Sequence, residues 1–319
     1  MNMTDNKTPE RAAVRDLCGV LLIDKPQEFT SFDVCAKLRG MLRTKRIGHA
    51  GTLDPMATGM MTILLGKATR AAELFPNHDK SYRARFRLGI TTDTLDITGQ
   101  VQSESSVEVS RGQFEAVMVR YRGAIKQLPP MYSAVHAEGK RLYELAREGK
   151  EVERTPRDAY IERLELLEYD EATGEGELDV CCSKGTYIRT LVDDMGRELG
   201  CGATLTALRR TEAVGYGIED ALTLEEVQRM KDDGTITERL IPVDEALRAY
   251  RSCDVTVAQA VRYYNGGELS IERIYGFEDG GMPYVRVYGA LGEDKERIFL
   301  GIAKVDREEG LVRPYKRFS

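Results

Sequence analysis

Tyr82-Arg-Ala-Arg-Phe-Arg-Leu88 alternates without a break. Successive strand side chains point to opposite faces, so Tyr82, Ala84, Phe86 and Leu88 share one side and Arg83, Arg85 and Arg87 the other. The segment predicts a half-exposed strand with a cationic outer face. Upstream, Gly19-Val-Leu-Leu-Ile-Asp24 predicts a buried strand ended by Lys25-Pro26. Thr30-Ser31 offers a helix cap with Asp33 in the first turn, and the helix should run to about Arg43. Residues 44–58 read as an ordered loop, 60–65 as a strand, and 67–75 as a helix stopped by Pro76. Downstream, 111–121, 141–147, 186–199 and 222–231 read as helices, and 157–167, 177–182 and 206–214 as strands. Beyond about Ala249 the chain turns to short strands and glycine pairs. Strands and helices mix without a βαβ rhythm. The expected class is therefore α+β, a largely antiparallel sheet flanked by helices with a small β-rich C-terminal domain.

The chain has 319 residues, enough for two domains, and its 42% apolar and 31% charged residues are ordinary for a soluble globular protein. No run approaches the roughly 20 apolar residues a membrane span needs. Residues 1–16 are polar and read as a loose tail without a secretory signal. The six cysteines form no C-x-x-C pair and the three histidines are scattered. No zinc site, disulfide framework or other metal is expected, and a reducing cytoplasm is the simplest setting. The net charge of −6 argues only mildly against a nucleic-acid partner, because placement matters as well as sum. Lys37, Arg39, Arg43, Lys45 and Arg46 stand within ten residues without an acid among them. Such a segregated chain can present a basic groove on an acidic body.

Gly48-His-Ala-Gly-Thr-Leu-Asp-Pro-Met-Ala-Thr-Gly59 is the first candidate for chemistry. A residue before proline is pushed out of the helical region, so Asp54 would be held extended on a stiff loop, a good mount for a catalytic carboxylate. A plain Asp-Pro turn explains the same residues. Cys182-Ser-Lys-Gly-Thr-Tyr-Ile-Arg-Thr190 is the second. It puts Thr186, Tyr187 and Arg189 at a helix start, where Arg189 could clamp an anion or simply be exposed. Tyr82 is either a core residue or a platform on which a base stacks. His49 is either a ligand contact or a hydrogen-bonded structural residue. The run from Lys37 to Arg46 is either a solvated helix face or a set of phosphate contacts. Lys25-Pro26 is equally ambiguous. No phosphate-loop motif is present, so a nucleotide-dependent transferase is remote.

Taken in order, these segments resemble the tRNA pseudouridine synthase B (TruB) family. The likeness runs through 19–26, 48–59, Tyr82-Arg83, Arg87-Leu-Gly89, Thr92-Asp-Thr94, 129–136, 182–189 and Leu208-Arg-Arg210, and spans about residues 18–245. Ala50 and Thr52 stand where relatives commonly carry Thr and Ala, a neutral exchange of small residues. The resemblance implies a pseudouridine synthase fold over 17–247 and a small PUA-like RNA-binding domain over 248–319. It implies isomerisation of the T-loop uridine (position 55) of tRNA, with no cofactor, by a cytoplasmic monomer that engages the T-arm. Asp54 would be catalytic, Tyr82 would stack on the target base, and Arg189 would pair with the carboxylate. His49, Tyr187 and Leu208 would contact substrate. Lys25, Arg43, Lys45, Arg46, Arg209 and Arg210 would touch the RNA backbone. The segment from Tyr132 to Glu151 would order on RNA binding. The alternative from another class is a non-catalytic RNA-binding or RNA-chaperone protein using the same basic groove.

Overall fold

The computed structural model describes residues 17–75, 79–133, 135–137, 139–291 and 296–318. The expected N-terminal tail and Pro76 lie outside them. A nine-stranded sheet forms the main body. Its central path runs through Gly19–Lys25, Thr58–Leu65, Ala203–Ala213, Lys80–Leu88, Glu175–Cys182, Arg157–Asp170 and Gly123–Gln127. Each neighbouring pair is antiparallel except Thr58–Leu65 with Ala203–Ala213, which touch in parallel at Arg209–Thr58 and Arg210–Gly59. The class is the α+β one that the alternation predicted. The Lys80–Leu88 strand sits in mid-sheet, with Tyr82, Ala84, Phe86 and Leu88 buried and the three arginines exposed. Phe86, Phe114 and Tyr169 stack beneath it and pin the Arg111–Met118 helix to the sheet.

The outer face of that strand is not the cationic surface expected. Acids of the next strand oppose it: Arg83, Arg85 and Arg87 stand across the ladder from Asp179, Glu177 and Glu175, and Arg85 pairs with Glu177 at 2.8 Å. Opposite charges facing each other across an antiparallel ladder suit an open, solvated sheet face. The Ser31–Leu42 helix is capped as predicted, Thr30 accepting from the Asp33 N–H, and Arg43 ends it in a left-handed turn. Two local expectations fail. Residues 47–50 of the expected loop form a strand against Thr62–Leu65, and the helix expected over 67–75 is a 3-10 turn, Gly66–Ala71.

The Thr58–Leu65 strand explains how the sheet makes a notch. A strand has two edges. One is fully taken by Gly19–Lys25. The other is shared: its first two residues pair with Ala203–Ala213, and its last four with Ile47–Ala50. Between them, on this second edge, Met60 and Met61 have no strand neighbour, and the carbonyls of loop residues Gly51 and Thr52 come to the Arg210 guanidinium that also takes the Met60 carbonyl. The C-terminal part forms a five-stranded sheet between Ser252 and Lys316 with its own core around Val285, Val287 and Leu300. It includes a helix, Val257–Tyr264, that the turn-rich pattern concealed. Ile302 and Phe318 join Val20, Leu22 and Met60 in one apolar cluster, so the two sheets share a seam.

Candidate active site

The loop over the notch is held by buried cations. Carbonyls left without a ladder must find donors elsewhere. Arg210 is 0% exposed. Its Nε donates to the Met60 carbonyl at 2.6 Å, and its terminal nitrogens reach the carbonyls of Thr52 and Gly51 at 3.3 and 3.4 Å. From the other side, buried Lys25 donates to the carbonyls of Pro26, Phe29 and Pro55. Ser31 brackets Leu53, its hydroxyl accepting from the Leu53 N–H at 2.8 Å and lying 3.1 Å from the Leu53 carbonyl. Burial lowers the Lys25 pKa to about 8, with Asp54 pulling it upward. Lys25 and Arg210 are therefore struts of the loop, not the backbone contacts expected of them. Gly59 makes the close approach possible: its φ is +103°, and a Cβ there would collide with the Arg210 carbonyl.

On this mount Asp54 reaches a cavity of about 290 Å³. Leu53, Lys80, Tyr82, Ser133, Tyr187, Arg189 and Leu208 are among the residues that line it with Asp54. Arg189 lies 2.9 Å from the Asp54 carboxylate through Nη2 and is only 5% exposed, against 37% for the Asp54 side chain. Its other contacts fix it from behind. Nη1 donates to the Thr94 carbonyl at 2.9 Å, Nη2 to the Tyr132 carbonyl at 2.8 Å, and Nε lies 3.8 Å from buried Asp96. Asp96 is itself held by the Thr94 hydroxyl and by the N–H and hydroxyl of Thr98. One guanidinium between two carboxylates, with two carbonyls taking further donors, is the kind of support that a buried ion pair requires.

Tyr82 is a core residue that also stands in the cavity wall. It belongs to the cluster with Leu53 and Ile188. Burial pushes its hydroxyl pKa up to about 12. Leu208 faces Ala84 across the ladder and stands beside Tyr82 in the same cluster. Tyr187 caps the Ile188–Glu198 helix. Its N–H donates to Gln127 Oε1 at 2.9 Å, and Gln127 Nε2 returns a bond to its carbonyl at 3.2 Å. His49 does not reach the cavity wall. It sits half-buried on the Ile47–Ala50 strand, where burial lowers its pKa and its Nδ1 has no partner among the described residues. Arg209 is partly exposed but bound to Asp24 at 2.7 Å. Arg43, Lys45 and Arg46 are exposed at the end of the Ser31–Leu42 helix.

Sequence reading missed Asp96 and Gln127, which hold Arg189 and Tyr187, and the cavity-lining Lys80 and Ser133. A signal for Asp96 existed in the polar run from Thr91 to Thr98, which supplies its own hydrogen bonds. Buried Gln127 carried none, because its partner lies sixty residues away in the chain. Among the described residues no cluster of three His, Cys, Asp or Glu side chains could hold a metal ion, and no helix is long and apolar enough to cross a membrane.

The fold has solved counterparts. A chain from the crystal structure of a Cbf5-Nop10-Gar1 complex superposes with a TM-score of 0.69 at 23% identity, covering 99% of this chain and 92% of that one. A chain of an H/ACA RNP bound to a substrate RNA containing 2'-deoxyuridine gives 0.68 at 22%, over 94% and 85%. Residues 39–188 match the family model described as TruB family pseudouridylate synthase (N terminal domain). Residues 189–248 match the tRNA pseudouridylate synthase B C-terminal domain. The tRNA pseudouridine synthase B of Stutzerimonas stutzeri is 40% identical over 94% of this chain and 95% of its own. That of Ralstonia nicotianae is 40% identical over 98% of both. Two adjoining family models and such identity over nearly the full length of both chains place this chain in the tRNA pseudouridine synthase B (TruB) family.

Proposed function

We propose that the chain is a tRNA pseudouridine synthase that isomerises the T-loop uridine, position 55, with Asp54 as its catalytic residue. The relatives are named for action on tRNA, and the 2.9 Å pair between Asp54 and Arg189 on a cavity wall carries the reading. The reaction breaks the N1–C1′ bond, turns the uracil over and joins C5 to C1′. The proton leaves C5 and one is gained at N1, so uridine and pseudouridine have the same atoms and no electron or group donor is needed. A carboxylate acting as nucleophile or base at the sugar suffices.

A uridine in a folded loop must leave its stack to meet such a group. Tyr82 and Leu208 give the everted base an apolar wall, and Tyr187 borders it. Arg189 fixes which way Asp54 points. Exposed Arg43, Lys45 and Arg46 supply backbone contacts with the T-arm, and Arg209 a weaker one. His49, off the cavity wall, would meet RNA flanking the target rather than the target itself. Residues 17–247 form the catalytic unit and 248–319 a PUA-like RNA-binding unit. The enzyme works as a cytoplasmic monomer. Mass-spectrometric mapping of pseudouridine on one tRNA transcript tests the proposal. The wild type should convert position 55 without added metal or nucleotide, and Asp54→Asn should bind the transcript yet form no pseudouridine. Binding without conversion by the wild type would leave only an RNA-binding protein.

A further inference from the structure

We infer that Ser133 is a specificity-determining contact to the everted nucleotide, its hydroxyl bonding the 2′-hydroxyl of the ribose or a carbonyl oxygen of the base. The inference rests on the uridine-pocket reading and names a group within it.

Ser133 is 6% exposed and lines the cavity with Asp54, Tyr82 and Leu208. Its Oγ is buried and has no hydrogen-bond partner among the described residues. Other buried polar atoms share that condition, namely His49 Nδ1, Thr62 Oγ1, Thr190 Oγ1 and Tyr263 Oη, but none of those residues lines the cavity. A buried hydroxyl without a partner is costly, and an alanine methyl in its place is not. Serines usually escape by turning to a nearby backbone carbonyl. Here the neighbouring carbonyls are engaged: that of Tyr132 accepts from Arg189 at 2.8 Å, and that of Ser133 from the Tyr143 N–H at 3.1 Å.

Those bonds also give Ser133 a fixed address. Arg189 Nη2 holds both the Asp54 carboxylate and the peptide next to Ser133. The hydroxyl is thereby referenced to the carboxylate through one guanidinium. The neighbouring hydroxyl of Thr186 is spent on the Ser183 carbonyl. Ser133 both donates and accepts, which suits a ribose hydroxyl or a base carbonyl and nothing apolar.

The test uses an RNA stem-loop carrying the target uridine in four versions: unmodified, or with 2′-deoxyuridine, 2-thiouridine or 4-thiouridine at the target. Affinities are measured in the Asp54→Asn background, where no RNA turns over, with and without Ser133→Ala. Ser133→Ala should weaken the unmodified RNA roughly tenfold, the value of one lost hydrogen bond. With one modified RNA that penalty should shrink to about twofold or less, and that RNA names the oxygen. Melting temperature should stay level or rise, since an unpaired hydroxyl has been removed. The inference is overturned by no penalty on unmodified RNA, by an equal penalty on all four, or by a lower melting temperature. Failure of wild-type protein to form pseudouridine in the unmodified stem-loop would instead sink the functional reading and this inference with it.

Discussion

Replacing Arg210 by methionine separates a strut from an RNA contact. In the folded chain Arg210 is fully buried and serves three carbonyls, one of them at 2.6 Å. A hydrogen bond to a charged group is worth about 1.5–3 kcal/mol, and an orphaned carbonyl adds its own desolvation cost. The two longer bonds at 3.3 and 3.4 Å add little. Methionine matches the length of the side chain and relieves the cost of burying a guanidinium, so the net loss is about 3 kcal/mol. At about 2 °C per kcal/mol that lowers the melting temperature by about 6 °C. The loop 51–57 would lose its anchor over the sheet notch, and Asp54 with it. Misplacement by about an ångström is enough to slow chemistry roughly a hundredfold. The decisive assay is tRNA affinity against salt. A phosphate contact contributes a slope of about one in log affinity against log salt, and a strut contributes none. Arg210→Met should therefore melt lower and turn over slowly while keeping the wild-type slope. Normal melting with a slope reduced by about one would refute the strut.

The exposed cations should behave in the opposite way. Replacing Arg43, Lys45 and Arg46 by glutamine should reduce the salt slope by roughly two to three and leave melting unchanged; an unchanged slope would return them to a solvated face. Gly59→Ala should cost at least about 2 kcal/mol in urea unfolding, because φ is +103° and the new methyl meets the Arg210 carbonyl; a loss under half that value would show that the strands part easily. Lys25 carries a pH signature. Its folded pKa of about 8 lies below the ordinary 10.5, so between those values the unfolded chain binds more protons and wild-type stability rises with pH relative to Lys25→Met. A relative fall over that window would show the lysine to be better solvated than its contacts indicate.

Much of the fold was readable because it is local. Alternation in 82–88 needs only period two, and the Thr30 cap needs only Asp33 three residues on. The site divides differently. Spacing alone left Asp54 open between a catalytic mount and a turn, and only the colinear motifs of a family pointed to its pairing with Arg189. Lys25, Arg209 and Arg210 looked alike in sequence, as cations beside strands. Their fates differ because their partners are distant: Arg210 meets Met60 across 150 residues, and Arg209 meets Asp24 across 185. No window of sequence contains those pairs. The strand at 47–50 was missed for the same reason, since its four residues gain definition only from Thr62–Leu65.

The notch accounts for why cations had to be buried at all. Wherever a strand changes neighbours, backbone carbonyls lose their donors, and water in a core cannot replace them. A long guanidinium solves this from the adjacent strand while staying rigid. Having done so, it also holds the carbonyls of Gly51 and Thr52, three and two residues before Asp54, whose carboxylate meets Arg189. A carboxylate mounted this way is positioned by the sheet itself rather than by loop stiffness. Substitutions at Met60 or Met61 that keep the backbone should therefore spare activity, whereas any change that moves the Ala203–Ala213 strand relative to Thr58–Leu65 should displace Asp54 without touching a residue of the cavity.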